Sequence, residues 1–343
     1  MSSGPLVSLV ILNWNGKDLL SRFLPKIINV IAEPYVEIIL YDNGSTDGSV
    51  EYIADRHPSI KIVRSNRNLG TAEGPNLAVK YCKGKFVFFL GNDQYITRDT
   101  ISNMLQVFER DDKIGMVTGK TLSVDYYGTP DGKVDQIGFL VDKYGLPYPI
   151  AYNQPDSISF NKPFEIFFCG GCGMMVKKEL FMRLGCFDST YFLLQEDYDF
   201  CWRAKLFGHK TIAQPKAFIY HRLSSTTSKF GRARIRYFSE RNLITTFIKN
   251  ESTKHLLKNF HRYLGMLMME ILFFIVSLKP RLAIADIKAL IGNLLKFKRN
   301  WMLHITLQSK RTVAEDDFKH LIVDRNTRLD VFKKLINNQK VWL

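Results

Sequence analysis

Residues 6–12, 36–41, 60–63 and 86–90 are short, nearly all-apolar runs separated by stretches of helical spacing, and three of them stop at a polar side chain. This pattern constrains the fold more than any other feature of the chain. A strand without a polar face has to be covered on both sides, which calls for a mostly parallel sheet with helices packed on each face. One intervening helix shows as Leu19, Leu20, Phe23, Leu24, Ile27, Ile28 and Ile31. Others fall at about residues 72–81 and at 101–108, the latter leading to a strand at 114–118. The spacing therefore predicts an α/β domain. In such sheets ligands gather beyond the carboxyl ends of the strands. Here those ends read Asn13, Asp42 and Gly91-Asn92-Asp93, three polar ends that form a candidate site.

Downstream, residues 122–162 are rich in Gly, Pro, Tyr and Asp with no helical period, and read as an irregular hairpin or long loop on the rim of that site. A strand at 164–168, a helix at 177–184 and a helix starting near Gln195 follow. Beyond His221 the character changes. Residues 1–221 hold 24 Lys and Arg against 24 Asp and Glu, whereas residues 222–343 hold 24 against 9. The whole net charge of +15 thus lies in the C-terminal third. Residues 224–229 read as a polar, mobile segment, and the remainder as basic helix. A neutral head with a basic tail points to an anionic surface, either lipid headgroups or nucleic acid.

A hydrophobic content of 46% with 24% charged residues excludes a largely disordered chain. The N-terminus lacks a basic region, an apolar core and a cleavage site in series, so a cytoplasmic protein is expected. The five scattered cysteines fit reduced thiols. Cys169 and Cys172 make a lone C-x-x-C, read as two small buried residues around Gly170 and Gly171. The run Gly170-Gly171-Cys172-Gly173 lacks the spacing of a phosphate loop, although such a glycine-rich strand exit permits close approach of a substrate.

Asp42 opens Asp42-Asn43-Gly44-Ser45-Thr46-Asp47-Gly48, whose residue types suit a turn and a helix cap. A carboxylate at a strand end equally suits hydrogen bonding to a ribose or base. Asp93 can cap a turn, or reach a divalent ion that also holds a diphosphate, because hard cations prefer oxygen ligands. Glu196, Asp197 and Asp199 stand together at a helix start, where the dipole favours negative charge. One of them, drawn into a protein-lined site, can take a proton from an attacking hydroxyl; beside a metal they can equally serve as ligands. His221 closes a strand at the junction of head and tail, where a neutral imidazole is a plausible metal ligand.

Taken in order, Val10-Ile11-Leu12-Asn13-Trp14-Asn15-Gly16, Asp42-Asn43-Gly44-Ser45-Thr46-Asp47-Gly48, Asn66-Arg67-Asn68-Leu69-Gly70, Leu90-Gly91-Asn92-Asp93, Gly185-Cys186-Phe187-Asp188 and Glu196-Asp197-Tyr198-Asp199 resemble the family 2 glycosyltransferases of GT-A fold, in particular the rhamnosyltransferase-like branch. The resemblance covers about residues 5–245. It implies a GT-A catalytic domain over 1–223, with a nucleotide-binding part to about residue 120 and an acceptor part after it, followed by a basic helical region over 224–343. It implies a nucleotide-sugar donor held by Asn13, Asp42, Asn68 and Asp93, with Asp42 on the base or ribose. It implies Mg2+ or Mn2+ bound by Asp93 and His221, Asp197 as general base, and Glu196 and Arg203 on the acceptor side. Where many members carry a further carboxylate beside Asp93, this chain has Gly91-Asn92. The implied reaction is a single displacement with inversion onto a glycan or lipid-linked glycan.

In the tail, apolar residues recur at helical spacing from Leu256 to Leu278, densest over 263–278, where Glu270 interrupts them. That stretch is shorter than the roughly 20 residues a spanning helix needs. A second helix over about 282–301 sets Ile284, Ile287, Leu290, Ile291, Leu294 and Leu295 on one face, with Lys288, Lys296, Lys298 and Arg299 around it. Basic amphipathic helices of this kind lie in membrane interfaces, which predicts a peripheral protein on the inner face of the cell membrane. The alternative is packing on the catalytic domain or on a second subunit of a homo-oligomer. A nucleic-acid-binding protein using the tail, or a non-catalytic scaffold of the same fold, are rival readings; the first leaves the polar strand ends unexplained, so no nucleic-acid partner is expected.

Overall fold

The computed structural model describes residues 4–31, 33–156, 160–222 and 227–336. The first half follows the predicted alternation: β1 (Val7–Asn13), α1 (Lys17–Val30), β2 (Val36–Asp42), α2 (Ser49–Arg56), β3 (Lys61–Arg64), α3 (Gly70–Val79), β4 (Phe86–Gly91), β5 (Gln94–Ile96) and α4 (Thr100–Phe108). β2 and β4 flank β1 in parallel, and β3 runs parallel to β2. Along β1, Leu9 and Ile11 enter the apolar layer beneath α1 and α4, while Val10 enters the layer on the opposite face. This is why the strands carry no polar face. Register pairs Asn13 with Asp42 and Leu12 with Gly91, so the polar strand ends stand side by side.

The second half comprises β6 (Ile114–Val124), β7 (Pro130–Gln136), β8 (Phe139–Asp142), β9 (Pro147–Pro149), β10 (Phe164–Ile166), β11 (Met174–Lys177), α5 (Lys178–Arg183), α6 (Glu196–Leu206) and β12 (Lys210–His221). Among the described residues ten strands share one sheet, in the order β10-β12-β6-β11-β4-β1-β2-β3, with β5 on β12 and β7 on β6. β11 lies antiparallel between β4 and β6, so this half of the sheet is mixed. The chain enters β11 at the ligand end, where the Gly173 amide donates to the Phe89 carbonyl at 2.7 Å, and has to run backwards. Residues 122–162 are more regular than an irregular loop, because β7, β8 and β9 lie within them. β8 takes a parallel partner from β13 (Ile322–Val323), far away in sequence, and such pairing leaves no local period to read.

The tail is α7 (Arg232–Asn250), α8 (Thr253–Val276), α9 (Pro280–Leu295), α10 (Phe297–Lys310) and, after β13, α11 (Thr327–Ile336). The helix expected over 282–301 is therefore two, parted at Lys296. Of the segment 224–229, residues 224–226 lie outside the described residues, and Thr227–Phe230 form a 3-10 turn. α7 is tied to the head by buried polar contacts. Lys249 meets Asp188 and Asp199, each at 2.8 Å, and Asn242 Nδ2 donates to the carbonyls of Leu193 and Leu194. A second buried cluster joins α7, α8, α9 and α11. Arg236 meets Glu270, Asp286 and Glu240, and Arg328 meets Glu240 at 2.7 Å and Glu270 at 3.0 Å. Each acid here faces at least one guanidinium, the condition under which charges tolerate burial.

Candidate active site

At the strand ends, Asn13 is the hub. Its Nδ2 donates to Asp42 Oδ1 at 3.0 Å and to the hydroxyls of Ser45 and Ser49, and its Oδ1 accepts from Asn92 Nδ2 at 2.7 Å. Three loops are thereby locked together. Their packing leaves no room for side chains at the neighbouring glycines: a Cβ on Gly16 would lie 1.9 Å from Asn92 Nδ2, and one on Gly44, at φ +73°, 2.5 Å from the Arg67 backbone. Asp42 is 0% exposed and is spent on Asn13, on the Ser45 amide at 3.0 Å and on Arg64. It lines neither cavity described below. The next side chain, Asn43, faces the site instead. It donates to Asn68 Oδ1 and to the Gly70 carbonyl, and accepts from the Leu69 amide at 2.8 Å.

A small cavity of about 240 Å³ opens here, with Asn13, Asn43, Asn68, Asp93, Cys172 and His221 in its wall. Trp14 and Phe230 border it as stacked rings 5.2 Å apart. Because β5 pairs with the end of β12, Asp93 and His221 converge, with Nε2 3.7 Å from Asp93 Oδ2. The other imidazole nitrogen, Nδ1, lies 2.8 Å from Asp135 Oδ2 on β7. Burial alone would depress this imidazole, but the Asp93 and Asp135 carboxylates outweigh it and push the pKa up to about 10. A divalent cation would take the place of the Nε2 proton that these carboxylates retain, leaving a histidine held at Nδ1 by one carboxylate beside a second, the donor arrangement of an oxygen-and-imidazole metal site. The residues present therefore fit a divalent cation.

Across the site, Leu194 and Gln195 adopt positive φ of 69° and 70° ahead of α6. Left-handed backbone at residues other than glycine is costly and is retained where the surroundings enforce it; here Asn242 grips the Leu194 carbonyl. This turn delivers Glu196 and Asp197 to a large cavity of about 1000 Å³. The three acids of the cluster part company. Asp199 is fully buried, yet Lys249 and Arg203 hold it below the usual carboxylate range against the effect of burial. Asp197 is raised by burial, although it accepts from the Gly171 amide at 2.7 Å and from the Tyr198 amide. Burial and the charge of Asp197 push Glu196 up to about 8, and its Oε2 has no hydrogen-bond partner among the described residues.

Arg203, expected on the acceptor side, is engaged inside the protein. Its guanidinium is committed to Asp199 at 2.9 Å and to the carbonyls of Leu184 and Cys186, one helical turn beyond Asp199 and away from both cavities. Cys172, Asn43 and Asp135 enter the site without having been foreseen. The Cys172 thiol is raised by burial and then by the charges of Asp93, Glu196 and Asp197. The two cavities share Thr71 and Leu193 in their walls. The far wall of the larger one comes from the tail, through Arg236, Glu240, Glu270 and Arg328.

The chain is similar to several known proteins. Poly-beta-1,6-N-acetyl-D-glucosamine synthase of Staphylococcus epidermidis is 23% identical over 233 residues, covering 67% of this chain and 53% of the synthase. This chain thus spans about half the length of that relative. N-acetylglucosaminyl-diphospho-decaprenol L-rhamnosyltransferase of Mycobacterium tuberculosis is 23% identical over 250 residues, covering 65% of this chain and 78% of the enzyme. Among solved structures, mannosyltransferase PcManGT of Pyrobaculum calidifontis, in complex with GDP-Man and Mn2+, superposes with a TM-score of 0.53 at 18% identity over 90% of this chain and 86% of its own. GalNAc-T7 with UDP, GalNAc and Mn2+ gives 0.59 at 16% identity over 73% and 48%. These likenesses establish the GT-A glycosyltransferase fold. The model of "Glycosyl transferase family 2" matches residues 8–185, more than half of the sequence, and the chain belongs to that family.

Proposed function

We propose that this enzyme moves a sugar from a nucleoside-diphosphate sugar, of the dTDP-rhamnose or UDP-hexose type, to a hydroxyl of a glycan or lipid-linked glycan, with inversion. The small cavity takes the donor, the large one the acceptor. The observation that carries the reading is the meeting of the two cavities at Thr71 and Leu193, with Asp93 and His221 in the wall of one and Asp197 in the wall of the other.

Asp93 and His221 would hold Mg2+ or Mn2+, which supplies positive charge to a diphosphate leaving group. Asp197 accepts the proton of the acceptor hydroxyl. That oxygen forms its bond to the anomeric carbon as the bond to the diphosphate oxygen breaks, and the leaving oxygen keeps the electron pair. A base raised above the ordinary aspartate range by burial is better matched to this task than a solvated one. Gly171 and Tyr198 aim the carboxylate through their amides, and Asn13 positions Asp93 by fixing Asn92. Asn92, bound to Asn13, is a positioning residue where many members of the family carry another acid. Tail and head act together here, because the wall of the acceptor cavity is built from both.

The test is Asp197→Asn. Transfer should fall by about 10³-fold, the scale of a general base, while donor affinity in the presence of Mn2+ is kept. Near-normal turnover of that variant would sink the assignment.

A further inference from the structure

Fifteen of the twenty-three large apolar side chains exposed among the described residues fall within residues 253–310. On α8 they recur along one stripe through Leu257, Met268, Leu272 and Ile275, and on α9 through Ile284, Ile287, Ile291 and Leu294. The turn between the two helices carries Leu278 at 88% exposure, and α9 ends in Leu295 at 81%. The same residues include ten Lys and Arg, every one exposed. The two acids among them, Glu270 and Asp286, are buried and ion-paired to Arg236 and Arg328. Outwardly, the three helices α8, α9 and α10 show apolar and cationic groups with a few uncharged polar ones, and no acid.

We propose that the outer faces of α8, α9 and α10 dock on an anionic lipid bilayer and bring the mouth of the large cavity to the membrane surface. Charge complementarity selects this occupant. Apolar side chains interleaved with cations match the boundary between acyl chains and acidic headgroups. A second copy of this chain set face to face would oppose cations to cations with no exposed acid to offset them. Spanning is also disfavoured. α8 is long and apolar enough by composition to cross a bilayer, but its inner face, through Leu267, Ile271 and Phe274, is buried in the protein core. Crossing would also tear Glu270 from Arg236 and Arg328. Phe274, Lys279 and Leu282, which flank the α8–α9 turn, belong to the wall of the cavity that also holds Asp197. An acceptor anchored in lipid would therefore enter along this turn; that part of the inference rests on the transfer reading given above.

The experiment is flotation of the full chain with phosphatidylcholine vesicles, with and without about 30% phosphatidylglycerol, at moderate salt. Wild type should float with the anionic vesicles only, and Leu278→Glu/Leu295→Glu should bind them at least roughly tenfold more weakly. Donor hydrolysis without vesicles should be the same in both. Absence of flotation, or flotation that the double substitution leaves unchanged, overturns the proposal. So does light scattering showing a wild-type dimer that the substitution makes monomeric, since the face would then be a self-interface. Flotation is read without any donor, so a protein that floats as expected but hydrolyses no nucleotide sugar keeps the docking surface and loses the enzymatic reading.

Discussion

The two cavities are built in opposite ways. The smaller draws most of its wall from strand ends and turns within residues 12–93, held by one asparagine bonded to the neighbouring strand ends. The larger gathers Gln136, Asp197, Arg236, Glu270 and Arg328 from five separate elements, and its far side depends on a buried ion cluster. A donor-type site can thus be specified by short motifs at adjacent strand ends. An acceptor-type site exists only once the tail has packed onto the head, which leaves its shape free to vary with the tail.

The sharpest way to break the contrast is Glu270→Ala, which leaves Arg236 and Arg328 short of a counter-charge inside the protein. Removing one partner of a buried ion cluster costs about 3–5 kcal/mol. Urea denaturation should show a loss of that order, and in the folded fraction acceptor KM should rise while donor affinity holds. Equal damage to both would mean that the cavities are not independent.

A smaller effect is expected on the acceptor side from Glu196. It keeps its proton to about pH 8 in the folded chain, against 4.5 for an ordinary glutamate. Between those values the folded state binds more protons than the unfolded one, so stability falls as pH rises through the window. Glu196→Gln should remove that slope and be more stable than wild type near pH 8 by about 2 kcal/mol, allowing for relaxation of a buried pair. Thermal unfolding from pH 5 to pH 8 tests this; parallel curves for the two proteins would refute it.

On the donor side, Asn43→Ala removes the side chain that ties Asn68, Leu69 and Gly70 together. Three lost hydrogen bonds at a partly exposed site amount to about 1–2 kcal/mol. Donor Kd should rise roughly tenfold by calorimetry with acceptor KM unchanged. A shift in acceptor KM instead would reverse the roles assigned to the cavities.

The placements of these side chains have local physical causes. Successive side chains at a strand end point to opposite sides, so with Asp42 turned into the turn beneath Asn13 it is Asn43 that faces the cavity. Arg203 stands four residues after Asp199, a spacing that pairs opposite charges along one helix face. That signal was present in the sequence and marks the pair as structural. Asp135 left no such mark. Its role at His221 arises because β7 is paired to β6 with register shifts that no local pattern encodes.

What the sequence by itself determined is the parallel half of the sheet and the polar row at its end. Apolar periodicity dictates which faces are buried, and strand adjacency then brings Asn13 level with Asp42 and Leu12 level with Gly91. Only the tertiary structure separates the surroundings of Glu196, Asp197 and Asp199. All three share one helix start, and their chemistry is separated by partners distant in the chain, Lys249 for Asp199 and the Gly171 amide for Asp197. The fate of the tail was decided in the same way. Its helices are legible from their period, but whether a basic apolar face meets protein or stays exposed depends on which side the buried charges Glu270 and Asp286 draw inward.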